Sequence, residues 1–525
     1  MNGEGSSTPR GMTGTIVRGV GLAAGGYVGF QLINLAVYLV LARLLTPEEF
    51  GQLAAGAVLV QAGLVFANSG MGAAVIQRHD RVEEAASTAL IATVLAGIGL
   101  GLGALALSPL IGHIFHSHQV TLVAAAASGW VVVRAFAIVP DALMQKRFSF
   151  ARRVVVDPLG VVVFGAVAIT AAAHGLGVWA LVLGNYAQFA TMSISSWVLA
   201  RWRPRLRLAS VAMWRELAGF GRHVLTSNGI AEASGFVQTG VIGRFLGTAT
   251  LGQFEYGFRL VQVPLGAVVN AGSYVLFPAF SRISADAERF RGAYLRAVRL
   301  TCSLAVPVSF LLLPLGAPLA VLVFGDVWLQ AGHLASAMFA FTAARAFNSV
   351  AREVFKASGR PDVLPRLQIV STVATCGLIV AAVPIGATAV GAAISVASVA
   401  AAAYALRAVS PIIGAPARRI LEQAWPSVAA SGVMAAAVYG LELVLDAEAH
   451  GTATGLALLG AEGAVGIGLY LAALAAISPA TVRELTDVTS HLRARLRSRR
   501  DRPAKPSSSH GGLKHERPRA DSEAE

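Results

Sequence analysis

Apolar residues in this chain fall in long, nearly unbroken runs rather than at alternate positions or along one helical stripe. A run of about 20 such residues is enough to cross about 30 Å of hydrocarbon as a helix. Fourteen runs of that kind predict membrane-spanning helices near 19–42, 53–76, 85–107, 119–140, 155–175, 177–200, 224–243, 261–281, 300–324, 330–351, 367–385, 388–406, 426–445 and 453–478. The first follows Arg10 and Arg18. At about 24 residues it exceeds the roughly 7–15 of a signal-peptide core, so it reads as an uncleaved first helix. Two runs carry polar interruptions: Asn228, Glu232 and Gln238 in the seventh, Arg345 and Asn348 in the tenth. Such interruptions mark helices that line an aqueous cavity.

Composition agrees with a membrane protein. Of 525 residues, 55% are hydrophobic and only 13% charged, and the net charge is +14. A basic, apolar chain suggests either nucleic acid or a membrane, and the positions of the cations separate the two. All but five of the 42 Lys and Arg residues lie in the termini or in every second gap between runs. Arg43, Arg244 and Arg259 fall in the other gaps, and Arg134 and Arg345 within runs. The positive-inside rule then makes both termini cytoplasmic in a multi-pass membrane protein. Cations spread over every inner loop do not form a nucleic-acid patch, so no nucleic-acid partner is expected. No gap exceeds about 25 residues, which leaves no room for a soluble catalytic domain. The tail from His491 is rich in Arg, Pro and Ser, reads as disordered, and has a basic start suited to anionic headgroups. Cys302 and Cys376 read as small buried hydrophobes. His113, His116 and His118 lack an evident fourth ligand, so neither metal nor cofactor is expected.

An internal repeat organises the runs. Ala42-Arg43-Leu44-Leu45 and Phe50-Gly51-Gln52 recur 201 residues later as Gly243-Arg244-Phe245-Leu246 and Leu251-Gly252-Gln253. Asn68-Ser69-Gly70 meets Asn270-Ala271-Gly272 with a slip of one. Both copies start on helices running the same way, so the repeats are parallel. The fold expected is all-α and polytopic, with about 14 transmembrane helices: two pseudo-twofold six-helix lobes plus two extra helices. The boundaries are a terminus over 1–18, lobe one over 19–200, a basic linker over 201–223, lobe two over 224–408, the extra pair over 409–478 and the tail over 479–525. Lobes paired in this way are the architecture of alternating-access carriers.

Five stretches carry a family resemblance: ARLLTPEEFGQ at 42–52, IGRFLGTATLGQFEYGFRLVQVPLG at 242–266, VLFPAFSRI at 275–283, FRGAYLRAVRL at 290–300 and KASGRP at 356–361. Over about residues 15–480 the chain resembles the polysaccharide flippase branch of the MOP exporters, a superfamily that includes lipid II flippases and MATE drug antiporters. The resemblance implies a transporter, not an enzyme. Its substrate would be an undecaprenyl-pyrophosphate-linked oligosaccharide or a related polymer made for the cell surface, with membrane lipids, glycosyltransferases and a polymerase as neighbours. The carrier itself reads as a monomer. Many relatives place an acid or Asn where this chain has Gln238, a departure that bears on ion coupling.

Arg134 and Arg345 occupy the fourth and tenth runs, equivalent places in the two lobes. Guanidinium forks suit phosphate oxygens, so both are candidates for holding the pyrophosphate; the alternatives are snorkelling to an interface or pairing with an acid such as Glu232. Gln31, Asn34 and Asn68 in lobe one, and Asn228, Glu232, Gln238, Asn270 and Asn348 in lobe two, are candidates for contacting sugar hydroxyls, or for joining helices. Arg43 and Arg244, at the outer ends of equivalent helices, read as gating contacts or as helix caps. Glu232 is the candidate proton site, while Glu442 and Glu462 read as interfacial. The alternative function is a MATE-like antiporter of cationic drugs, which needs an acidic, aromatic cavity. A membrane glycosyltransferase would need catalytic acids in an outer loop.

Overall fold

The computed structural model describes residues 29–68, 70–146, 150–283, 285–360, 362–487 and 490. The expected 1–18 terminus and most of the expected tail lie outside them. No β-strand occurs among the described residues. The helices are α1 (Gly29–Leu44), α2 (Pro47–Asn68), α3 (Met71–Gln77), α4 (Val82–Ile114), α5 (His118–Ala127), α6 (Gly129–Lys146), α7 (Phe150–Ala173), α8 (Val178–Ala200), α9 (Val211–Ile283), α10 (Ala287–Phe324), α11 (Leu329–Ala337), α12 (Phe339–Ala357), α13 (Val363–Ala382), α14 (Ala387–Ile413), α15 (Ala417–Leu445) and α16 (Thr452–Ile477). Among the described residues, eight spans are long and apolar enough to cross a membrane, or nine if the bent α1–α2 pair counts as one. The protein is therefore a multi-pass membrane protein.

Helix breaks repeat between the halves. The fourth run divides into α5 and α6 at Ser128, and the tenth into α11 and α12 at Met338. The α1–α2 turn is made by a reciprocal cap. Glu49 donates its backbone N–H to Thr46 Oγ1 at 3.4 Å, while Glu49 Oε2 accepts the Thr46 N–H at 2.7 Å, with Pro47 as first helical residue. In the second half, Gly247 at φ 87° breaks α9 at the equivalent place. The left-handed backbone there is one that glycine adopts without strain. α9 is thus two helices, 211–246 and 248–283.

The lobes meet where these turns lie. A Cβ placed on Gly51 would stand 1.7 Å from the Thr248 carbonyl oxygen, and one on Gly252 would stand 1.8 Å from that of Pro47. The contact is reciprocal under the 201-residue offset, so the pseudo-twofold axis passes between α2 and the second half of α9. Around it, Phe50 from lobe one packs edge-on against Tyr256 and Trp328 from lobe two, with ring centroids 4.7 and 5.7 Å apart. Trp328 Nε1 donates to the Ala42 carbonyl at 2.9 Å. The Arg43 guanidinium donates to the carbonyls of Leu322 (2.6 Å) and Val323 (3.4 Å) at the end of α10. In the other direction, Arg244 contacts His116 just past α4. Each arginine thus crosses to the terminus of the opposite lobe's third helix, where a cation is favoured by the helix dipole.

The opposite ends of these helices carry arginines held by carboxylates and carbonyls: Arg78 by Glu216 at 2.6 Å, Arg299 by Glu484 at 3.5 Å, and Arg291 by the Ile413 carbonyl at 3.2 Å. This end is the basic face below, and the lobe seal lies at the other. The linker is pinned there, with Trp202 donating to Glu83 and Ser210 to Glu84 on α4.

α15 and α16 pack on the outside of α10. Gly455 approaches Leu322 and the Ala447 carbonyl, and Gly466 approaches Val438 and Leu311. Between these two close approaches Glu462 is fully enclosed, at 0% exposure. The expectation that it lies at the membrane interface is therefore corrected: small residues on either side draw the helices together over it.

The glycine contact predicts a conformational effect. With Cys302 and Cys376 replaced and spin labels on the exposed positions 44 and 245, Gly51→Ala should lengthen the label-to-label distance, because the methyl cannot fit against Thr248. An unchanged distance would show that the contact does not hold the lobes closed.

Candidate functional site

A cavity of about 1000 Å³ opens between α1 and the helices α9, α10, α12 and α13 of lobe two. Lobe one contributes Gln31, Asn34 and Tyr38 to its wall. These lie at positions i, i+3 and i+7, one face of α1. Lobe two contributes the charge. On α12, Arg345, Asn348, Arg352 and Lys356 follow at i, i+3, i+7 and i+11, and all line the cavity. The other face of α12, with Ala346, Phe347, Val350, Val354 and Phe355, is buried in the lobe. The local sequence therefore builds a helix with one apolar and one cationic side, whose orientation follows from burial of the apolar side.

Arg259, on the second half of α9, is the remaining cation in the wall. Its guanidinium carbon lies 3.8 Å from the Tyr38 ring centroid and 5.9 Å from that of Tyr256, a cation–π arrangement. Its Nε is buried without a hydrogen-bond partner, as is Asn348 Oδ1. Arg345 sits 5.4 Å from the Phe341 ring centroid, with its side chain open to the cavity. Among the described residues no carboxylate lies within ion-pairing distance of Arg259, Arg345 or Arg352. The one carboxylate in the wall, Glu353, is engaged by Lys356 at 3.0 Å. Four cations against one acid give the wall a net positive charge. From Arg345 the cations step along α12 by about 10 Å to Arg352 and about 16 Å to Lys356, at about 1.5 Å per residue. They form a ladder from the basic mouth into the protein.

Of the residues singled out in the sequence, Gln31, Asn34, Arg345 and Asn348 come together in this cavity. Arg134 does not line it. Arg134 Nη2 donates to Asp141 Oδ2 at 3.3 Å within lobe one, and Asp141 also accepts from Ser196 at 2.8 Å. Arg134 and Arg345, equivalent by run number, thus occupy different environments. Gln238 donates to Ser234 at 3.0 Å on its own helix, away from the cavity. Arg43 and Arg244 stand at the lobe seal. The side chains of Asn68, Asn228, Glu232 and Asn270 lie outside the described residues.

Arg259, Arg352 and Lys356 escaped the sequence reading. Arg259 was placed in a gap before the eighth run, but its helix starts at 248, and Arg259 sits about 16 Å along it. The polar residues Gly252, Gln253 and Glu255 lower the local apolarity and hide the helix start. Gln253 is satisfied within the protein, donating to Val327 and accepting from the Ala331 N–H at 2.8 Å. For α12, the period running from Arg345 to Lys356 was the available signal, and it outlasts the apolar run by a full turn.

The family described as polysaccharide biosynthesis protein matches residues 40–333, more than half of the chain. The chain belongs to this family. Relatives of this polysaccharide biosynthesis protein include the succinoglycan biosynthesis transport protein ExoT of Rhizobium meliloti (strain 1021), 27% identical over 62% of this chain and 65% of that one. The teichuronic acid biosynthesis protein TuaB of Bacillus subtilis (strain 168) is 22% identical over 56% and 61%. The lipopolysaccharide biosynthesis protein WzxC of Escherichia coli (strain K12) is 24% identical over 57% and 61%. Each match spans slightly less than two thirds of the relative's own length. Among solved structures, the lipid II flippase MurJ in an inward closed conformation superposes with a TM-score of 0.71 at 13% identity, covering 89% of this chain and 99% of that one. A multidrug resistance MATE family transporter in an inward-facing conformation gives 0.58 at 18% identity, over 73% and 95%. The family fold is thus shared with both.

The two arginine environments predict opposite phenotypes. Arg134→Ala should lower stability by about 1–3 kcal/mol, since it leaves Asp141 buried with one partner fewer. Binding of farnesyl pyrophosphate, measured by its stabilisation of purified protein, should be unaffected. Arg345→Ala with Arg352→Ala should abolish that stabilisation while leaving the melting of the unliganded protein nearly unchanged. The reverse pattern would reassign the anion site to lobe one.

Proposed function

We propose that this protein carries a lipid-linked oligosaccharide, or a related polysaccharide, across the bacterial inner membrane by alternating access, for assembly of cell-surface polysaccharide. The observation that carries this reading is the cationic face of α12, on which Arg345 and Arg352 have no carboxylate partner among the described residues, together with Arg259, lining a cavity between two lobes. A pyrophosphate linkage between lipid and sugar is dianionic, and arginine forks match its oxygens. The ladder from Lys356 to Arg345 gives the headgroup successive sites between the basic mouth and the seal. Gln31, Asn34 and Asn348 supply amide donors and acceptors for sugar hydroxyls, while the lipid tail stays in hydrocarbon.

The topology proposed is fourteen spans with both termini cytoplasmic, so that the basic face is the inner one. With the lobes sealed at the far side, the structure then corresponds to a state open toward the cytoplasm. Moving each negative charge outward down an inside-negative potential releases about 2.3 kcal/mol per 100 mV. Export of a dianion is thus favoured without a coupling ion. Glycosyltransferases that build the substrate and a polymerase that consumes it are the functional neighbours. The cavity argues against a carrier of cationic drugs, since its free charges would repel them.

In a strain lacking this protein, a lipid-linked sugar should accumulate on the cytoplasmic leaflet and surface polysaccharide should disappear. Arg345→Ala with Arg352→Ala, expressed in that strain, should give the same phenotype with normal amounts of protein in the membrane. Full export by the double variant would remove the cationic ladder from the mechanism.

A further inference from the structure

Carboxylates inside a hydrocarbon layer are costly, and they persist where they bind or relay something. Glu442 on α15 and Glu462 on α16 lie within spanning helices, and neither lines the cationic cavity, which is on the other side of α10. Glu462 is fully buried, and neither of its carboxyl oxygens has a hydrogen-bond donor; Glu442 Oε2 is likewise buried without one. The two residues stand at the same level of the antiparallel α15–α16 pair, between the approach of Gly455 to Ala447 and that of Gly466 to Val438. Two charged carboxylates facing each other, one of them fully buried, would repel strongly, and neither could supply the donor that the other lacks. One proton solves both problems: it removes a charge and turns one carboxyl into an O–H donor toward its neighbour.

We propose that Glu442 and Glu462 share one exchangeable proton, forming a proton-binding site in the two extra helices. A metal cation fits the site poorly. Hard cations take about six or more oxygens, and among the described residues no group of three His, Cys, Asp or Glu side chains is placed to hold one. The groups facing the pair are consistent with supply of protons from the sealed side of the protein. Asp446 ends α15 and Glu448 follows it, while Asp326 and His333, beyond α10, act electrostatically on Glu448. The adjoining face of α10 is apolar, with Leu315, Leu319 and Leu322. The Arg43 guanidinium, which reaches that helix end from α1, is engaged with the Leu322 and Val323 carbonyls. The site also adjoins the lobe seal, since Leu322 packs on Gly455 of α16 while its carbonyl holds Arg43. Gain or loss of the proton therefore changes charge one helix away from the contact that closes the lobes.

The proposal does not depend on the transported substrate, and its test needs none. Full-length protein in lipid nanodiscs would be followed by infrared difference spectroscopy from acidic to alkaline pH. The wild type should show a protonated-carboxyl C=O band that grows on acidification and shifts in deuterium oxide. Glu462→Gln and Glu442→Gln should each abolish it. Both variants keep side-chain shape and gain an amide donor, so they should fold. A wild-type spectrum that superposes on both variants would overturn the proposal, as would a carboxyl band insensitive to pH. A carboxylate band that shifts with sodium at constant pH would also overturn it, because the pair would then hold a metal ion.

Discussion

The structure turns on one close approach, in which Gly51 and Gly252 bring the backbones of the two lobes together. Any side chain at either position would occupy the space of a carbonyl oxygen on the other lobe. Because the contact repeats under the internal offset, it fixes the pseudo-twofold axis. Everything else at the seal is arranged around it: the edge-on aromatic contacts of Phe50, Tyr256 and Trp328, the Trp328 bond to Ala42, and the crossing of Arg43 and Arg244. Closure on one side leaves the helices to diverge toward the other, and the cavity is the space that the divergence creates. The small van der Waals and hydrogen-bond terms at the seal would suit the proposed alternating access, in which the contact breaks and re-forms, since packed interfaces switch between discrete arrangements.

Much of the fold was legible because a membrane leaves the backbone few options. Among the described residues the long apolar runs fall mostly on helix, and the 201-residue repeat seen in Arg43-Leu44 and Arg244-Phe245 reappears as a contact in space. What sequence could not show was where helices start or break when polar residues are satisfied inside the protein. Gln253 and Glu255 disguise the start of the helix that carries Arg259, and the breaks at Ser128 and Met338 lie within apolar sequence. Glu462 illustrates the same difficulty. Its surroundings in sequence are ordinary, and only the approach of α16 through Gly455 and Gly466 encloses it.

The candidate site was legible in part, for a related reason. A charge within an apolar run is visible as an anomaly, which brought out Arg345 and Arg134 alike. Whether such a charge faces a cavity or an acid one helix away is a question of rotation about the helix axis. Arg134 meets Asp141 two turns along its own helix, whereas Arg345 looks along a row of further cations on α12. The periodicity of that row was present in the sequence, but it runs past the end of the apolar segment into what reads as a loop.

One feature of the cavity has a mechanical meaning. All four of its cations belong to lobe two, while lobe one presents amides, leucines and the aromatic face of Tyr38 but no charge. An anion held there is a passenger of one lobe rather than a bridge between both. Its charge cannot by itself draw the lobes together, and closure around it falls to whatever uncharged part of the cargo reaches across to Gln31 and Asn34. A carrier divided in this way would read charge with one hand and shape with the other.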